Sequence, residues 1–210
     1  SEQEKIVIIE ELLAGKQVSV VVMDILESTP VLMSYLGERS DLLVSIDDIG
    51  EGRVHADLLF NIIHHPKRPP EAKYREINDL NYVILRPEFY QAHEVEKHIP
   101  ERASKLLISQ GGSDTFGGVV ELAKALELLP DHVDIHLVLG SAFRHYEDLQ
   151  AVIDVSKRRF ILERDVQDMA GLMARMDVAI TGGGKTLFEL AAVGVPIVAV
   201  TEESREVETM

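Results

Sequence analysis

The chain has 210 residues, 46% of them hydrophobic, with neither cysteine nor tryptophan, so its core must be built from Leu, Ile, Val and Ala, in one large domain or two small ones. The lack of cysteine excludes disulfides, thiolate catalysis and cysteine metal sites. A formal net charge of −15 argues against broad binding to nucleic acid or acidic membranes, while leaving room for a small anion held locally by a helix N-terminus.

Apolar runs of strand length alternate with helical periods, the pattern of an α/β protein with mainly parallel sheets. A helix is expected over 2–14 with Gly15 as its stop, then a strand over 18–23 ending at Asp24. A helix over 30–36 is ended by Gly37, and a strand over 42–46 runs into Asp47 and Asp48. A further strand spans 56–62, and the proline-bearing stretch 64–81 reads as a polar surface loop. Residues 81–102 read as a crossing between two halves, which sets the domains at 1–95 and 96–210.

The second half is more regular. Strand 105–109 meets the loop QGGSDTFG, and helix 118–129 is stopped by Pro130. Strand 135–139 ends at Gly140, followed by helix 146–155, strand 159–162 and helix 166–175. The closing stretch, DVAITGGGKTLFELAAVGVPIVAV, gives strand 178–180, a glycine loop, helix 185–193 stopped by Gly194 and Pro196, and strand 197–200. The acidic stretch 202–208 reads as a solvated end. No apolar run reaches the roughly 18 residues of a membrane span, and the acidic opening helix is no secretory signal, so a cytoplasmic protein is expected.

Two glycine loops, at 111–114 and 182–184, each follow a strand and precede a helix. In a parallel sheet such loops share one rim, where main-chain N–H groups and helix dipoles favour an anion such as a phosphate. Ser113 and Thr115 add hydroxyls; alternatively Ser113, Asp114 or Thr115 is only a helix cap. The GGGKT run is not a Walker A loop, because the glycine required five positions earlier is Ala179. Lys185 could touch a phosphate, and Glu189, just past the first helical turn, could accept bonds from a ribose diol. The competing reading pairs the two as an i,i+4 ion pair. Asp24 is the candidate catalytic carboxylate, against a plain turn-capping role that Asp47 and Asp48 also fit. The spacing of His64 and His65 suits no metal, and nothing else in the chain calls for a metal or a cofactor.

LLISQGGSDTFGGVVELAKAL, LERDVQDMAGLMARMDVAITGGGKTLFELAAVGVPIVAV, IDDI and LRPEF together resemble one group of GT-B proteins. That group holds the UDP-sugar hydrolase of pseudaminic acid biosynthesis and the spore-coat polysaccharide proteins; the lipid-linked N-acetylglucosaminyltransferase of peptidoglycan synthesis is a more distant relative. The resemblance runs from Val18 onward and is strongest over 106–200. It implies two Rossmann-like halves and a nucleotide-sugar, expected to be UDP-linked, as substrate or ligand. By position it implies that Gly111, Gly112 and Ser113 approach the diphosphate or sugar, and that the segment from Val166 to Met169 lines the base. It further implies that Gly183, Gly184, Lys185 and Thr186 hold the phosphates and Glu189 the ribose. The implied activities are UDP-sugar hydrolysis, glycosyl transfer or binding without turnover. Two departures stand out. The hydrolases carry a glycine-rich N-terminal loop with a water-activating histidine, which has no match here, so the N-terminal half is expected to be truncated. They also carry an aromatic residue after the strand that ends near Asp24, where Ile25 and Leu26 stand.

Overall fold

The computed structural model describes residues 2–64, 66–112, 114 and 117–200. Among these are nine strands and seven α-helices, which alternate strictly from Pro87 onward. They form two compact units, one ending at Val83 and the other starting at Ile84.

The first unit contains α1 (Glu2–Leu13), β1 (Val18–Asp24), α2 (Pro30–Gly37), β2 (Ser40–Ile46), β3 (Leu58–Phe60) and β4 (Arg75–Ile77). Its four strands are all parallel, in the order β1-β2-β3-β4. Pro30 starts α2 with its φ already set for a helix. Period-two alternation sends Val21, Met23, Leu43 and Leu59 to the face that packs on Ile6, Leu32, Met33 and Leu36 of α1 and α2. On the other face of edge strand β1, Val20 and Val22 are exposed. The turn after β2 is built on its two aspartates. Asp48 is fully buried and accepts hydrogen bonds from the Ser28 and Gly50 N–H groups at 2.9 and 2.8 Å and from Ser45 Oγ at 2.9 Å. Asp47 is held at φ 49° while its Oδ1 accepts from the N–H groups of Ile62 and Ile63, both at 2.7 Å. The turn-capping reading therefore accounts for both. Strand β4 lies inside the stretch read as a surface loop; three residues are too few to show alternation.

The second unit contains α3 (Pro87–His93), β5 (Lys105–Ser109), α4 (Gly118–Ala125), β6 (Asp134–Leu139), α5 (Tyr146–Val155), β7 (Arg159–Arg164), α6 (Met169–Ala174), β8 (Val178–Thr181), α7 (Lys185–Val193) and β9 (Ile197–Ala199). Its sheet is parallel throughout, in the order β7-β6-β5-β8-β9. Leu106, Ile108, Ile135 and Leu137 face a core shared with α4 and α5. Leu107, Val138 and Ala179 face a second core with α3, α6 and α7. Burial of each such Leu or Ile contributes about 1.5–3 kcal/mol, so the sheet is fixed from both sides, as parallel sheets are. Helix α3 falls in the stretch read as a crossing, yet its Phe89 is fully buried in the second core beside Leu190. The helix expected over 118–129 ends at Ala125 and tightens into a 3₁₀ turn, Leu126–Leu128. The helix expected from 166 starts at Met169, because Asp168 caps it by accepting from the Gly171 N–H at 2.8 Å.

Candidate functional site

The strand order singles out one place on the second sheet. From β5 the chain winds outward through β6 to β7, then returns and winds the other way through β8 to β9. The direction reverses between β5 and β8, and the loops leaving those two strands diverge, opening a crevice at their C-terminal ends. Ser109 of β5 lies opposite Thr181 of β8. The two glycine loops therefore leave neighbouring strand ends, side by side on one rim.

The two loops differ in what they can offer. Helix α7 starts at Gly184 with no side-chain cap, and nothing lies within 4 Å of a Cβ placed there. The Leu187 N–H donates to the Gly184 carbonyl at 3.1 Å, and no side chain of the N-cap residue covers the positive end of the dipole at Lys185 and Thr186. Helix α4 is already capped. The carboxylate of Asp114, 5% exposed, accepts from the Gly118 N–H at 2.7 Å and from the Val119 N–H at 3.1 Å. Asp114 adopts φ 43° to reach them. Asp114 is thus the cap of α4, and that helix end is neutralised from within. What the first loop retains is the exposed backbone of Gly111, at φ 76°, and of Gly112. Ser113 and Thr115 lie outside the described residues, as do His65 and the stretch 202–208.

At the root of the crevice, Thr181 Oγ1 and Gln110 Nε2 are buried without a hydrogen-bond partner, and Thr181 is only 1% exposed. An unpaired buried polar atom costs about 1–3 kcal/mol, so two of them at adjacent strand ends mark a place suited to a polar ligand. Of the remaining candidates, Gly183 is buried, Thr186 half-buried and Lys185 exposed. Val166 and Met169 are half-buried between β7 and α6, on the same rim, and pack against the second core. Asp24 is exposed at the end of β1 in the first unit, and is not among the residues that the second sheet gathers.

Glu189 lies on α7 with its side chain 13% exposed. Its ion-pair partner is Arg86, at the N-cap of α3, with Nη2 3.9 Å from Oε1; Lys185 acts on it only through its field. Burial raises the Glu189 carboxyl above the ordinary glutamate range. The charges of Arg86 and Lys185 pull it back, and Glu88 pushes it further up. Arg86, Gln110 and Thr181 were not singled out by sequence reasoning, which offered Asp114 only as one of three candidate caps. Arg86 lies in the stretch read as a crossing, and no spacing rule links it to α7. Among the described residues no group of three His, Asp or Glu side chains is placed to hold a metal ion, and no helix is long and apolar enough to cross a membrane.

No protein-family model matches the chain. It is 26% identical over 202 residues to the spore coat polysaccharide biosynthesis protein SpsG of Bacillus subtilis, covering 93% of this chain and 59% of that protein. It is 27% identical over 131 residues to the uncharacterized protein MJ1062 of Methanocaldococcus jannaschii, covering 60% of this chain and 27% of that protein. Among solved structures, MurG of Acinetobacter baumannii superposes with a TM-score of 0.58 at 14% identity, covering 97% of this chain and 58% of that one. The chain spans less than two thirds of the length of each of these proteins. Two parallel α/β sheets and the likeness to MurG give the chain a GT-B-like α/β fold, and its sequence is similar to that of SpsG.

Proposed function

We propose that the second unit binds a nucleotide-sugar, a UDP-sugar in the first instance, and that the protein serves surface-polysaccharide or nonulosonic acid biosynthesis as a hydrolase-like member of its group. One observation carries this reading: the uncapped N-terminus of α7 lies beside the open Gly111–Gly112 backbone, across the switch point of the sheet. A diphosphate suits that pair, since α7 favours its charge and the first loop supplies neutral amide donors. Gly183, Gly184, Lys185 and Thr186 are the phosphate contacts in this reading, Glu189 takes the ribose hydroxyls, and Val166 and Met169 offer apolar surface to the base.

The chemistry that follows is substitution at the anomeric carbon. The bond from that carbon to the diphosphate oxygen breaks, and the charge on the leaving diphosphate is stabilised by the amides that already hold it. Water as the incoming group gives hydrolysis. A sugar or lipid hydroxyl gives glycosyl transfer, the second reading, favoured by the GT-B fold itself. Calorimetric titration with UDP and UDP-N-acetylhexosamines tests the proposal. Saturable binding is expected, weakened in Glu189→Ala by about ten- to a hundredfold, the worth of hydrogen bonds to a charged acceptor. Absence of binding across the series overturns the reading, and an unchanged affinity in Glu189→Ala removes its ribose assignment.

A further inference from the structure

Glu189 can accept two bonds from a diol only while its carboxyl is ionised, and its burial works against that. The charged groups that face it are Arg86 and Glu88 of the α3 N-terminus and Lys185 of its own helix. The neighbouring elements α6, β8 and β9 carry no titratable side chain. Lys185 is a flexible, exposed cation at a helix N-terminus, where the dipole disfavours it. Arg86 is held from three sides. Its guanidinium carbon lies 5.2 Å from the centroid of the Phe89 ring, Nη1 donates to Glu88 Oε1 at 3.0 Å, and Nη2 points toward Glu189 at 3.9 Å. Phe89 itself is anchored in the core that contains Leu190, the residue after Glu189. The planar fork of arginine can serve two carboxylates while lying on a ring, which a lysine ammonium cannot.

We propose that Arg86 is a positioning residue for the nucleotide site: clamped by Glu88 and Phe89, it supplies the fixed counter-charge that keeps Glu189 ionised and aimed for a sugar diol. This rests on the ribose assignment of Glu189. Helix α3 then belongs to the binding machinery, although none of its residues need touch the ligand.

The test combines a carboxyl-carbon NMR titration of Glu189 in the free, full-length chain with calorimetric titration of UDP at pH 6 and pH 8, for the wild type, Arg86→Ala and Arg86→Lys. In Arg86→Ala the Glu189 midpoint should move up, and UDP should bind roughly two- to fivefold more weakly, as befits a half-exposed ion pair. The loss should be larger at pH 6 than at pH 8. Arg86→Lys should fall between, because it restores the charge without the fork. A midpoint that stays put in Arg86→Ala overturns the proposal while leaving the ribose assignment intact. A midpoint that rises while UDP binds alike to wild type, Arg86→Ala and Glu189→Ala overturns the ribose assignment itself, and the positioning role with it.

Discussion

Gly140 offers a way to move the first glycine loop without touching it. It follows β6, and a Cβ placed on it would stand 2.2 Å from the carbonyl oxygen of Gly112 and 2.6 Å from that residue's C and Cα atoms. Ordinary contact begins near 3.4 Å. In Gly140→Ala the Gly112 backbone must therefore retreat by about 1 Å, since neither partner is a flexible side chain that could swing aside. The retreat also stretches the bond from the Ala142 N–H to the Gly112 carbonyl, already 3.2 Å long. Overpacking of this kind costs about 1–3 kcal/mol, and a lost backbone bond about 1 kcal/mol more. The stiffer unfolded chain of the alanine variant returns about 0.4–1 kcal/mol. A net loss of about 1–3 kcal/mol should lower Tm by roughly 4–12 °C. Because the amides of Gly111 and Gly112 move with the carbonyl, UDP should bind about tenfold more weakly, the worth of one good donor. Differential scanning calorimetry and calorimetric titration on one preparation read both quantities. Wild-type Tm together with wild-type affinity would refute the packing argument. A lowered Tm with unchanged affinity would refute the part given to the first loop in holding the diphosphate.

Two further substitutions separate scaffold from site. The Glu189 carboxyl is raised in the folded chain, so its contribution to stability is fully present below the unfolded value and is lost as pH rises through the folded value. Glu189→Gln should thus match the wild type in acid and exceed it in denaturation midpoint above the ordinary glutamate range; a gap that narrows with rising pH would contradict this. Asp48→Ala leaves the Ser28 N–H, the Gly50 N–H and Ser45 Oγ without their buried acceptor. It should cost roughly 3–5 kcal/mol in urea denaturation, and a loss below about 1 kcal/mol would show that the turn does not depend on it.

The second unit was legible because each of its strands is a short apolar run, most of them closed by a glycine or an aspartate, and each of its longer helices carries a full apolar stripe. The parallel sheet and the rim of loops follow from that alternation. What stayed hidden rests on weaker local signals. Strand β4 has three residues and no period to read, and its place is set by pairing with β3, including the bond from the Arg75 N–H to the Asp57 carbonyl at 2.8 Å. Helix α3 is seven residues long, and it is tied to the second unit by tertiary contacts, the burial of Phe89 and the approach of His93 Nδ1 to the Ala192 carbonyl at 3.1 Å among them. The loop QGGSDTFG offered three capping residues of equal standing. Selecting Asp114 required a left-handed backbone at that residue, which composition does not encode. Arg86 and Glu189 meet only because α3 packs on α7, and such a tertiary contact leaves no trace in spacing.

The contrast between the two helix ends explains how so acidic a chain could hold an anion. A site built on lysines would stand in the field of a net charge of −15 and would be screened by salt. Backbone amides are fixed partial charges that act within one helical turn, whatever the global sign. Here one end is cancelled by a buried carboxylate, Asp114, and the neighbouring end, at Gly184, is left open. Two open ends on adjacent strands would place two positive poles side by side with no internal compensation, at a cost to the unliganded fold. Two capped ends would leave an anion nothing but neutral donors. With one of each, the proposed site would recognise charge at α7 and geometry at Gly111 and Gly112. Asp114 then also works against any anion that settles too deeply toward α4, which favours a ligand whose charge lies on the β8 side of the crevice.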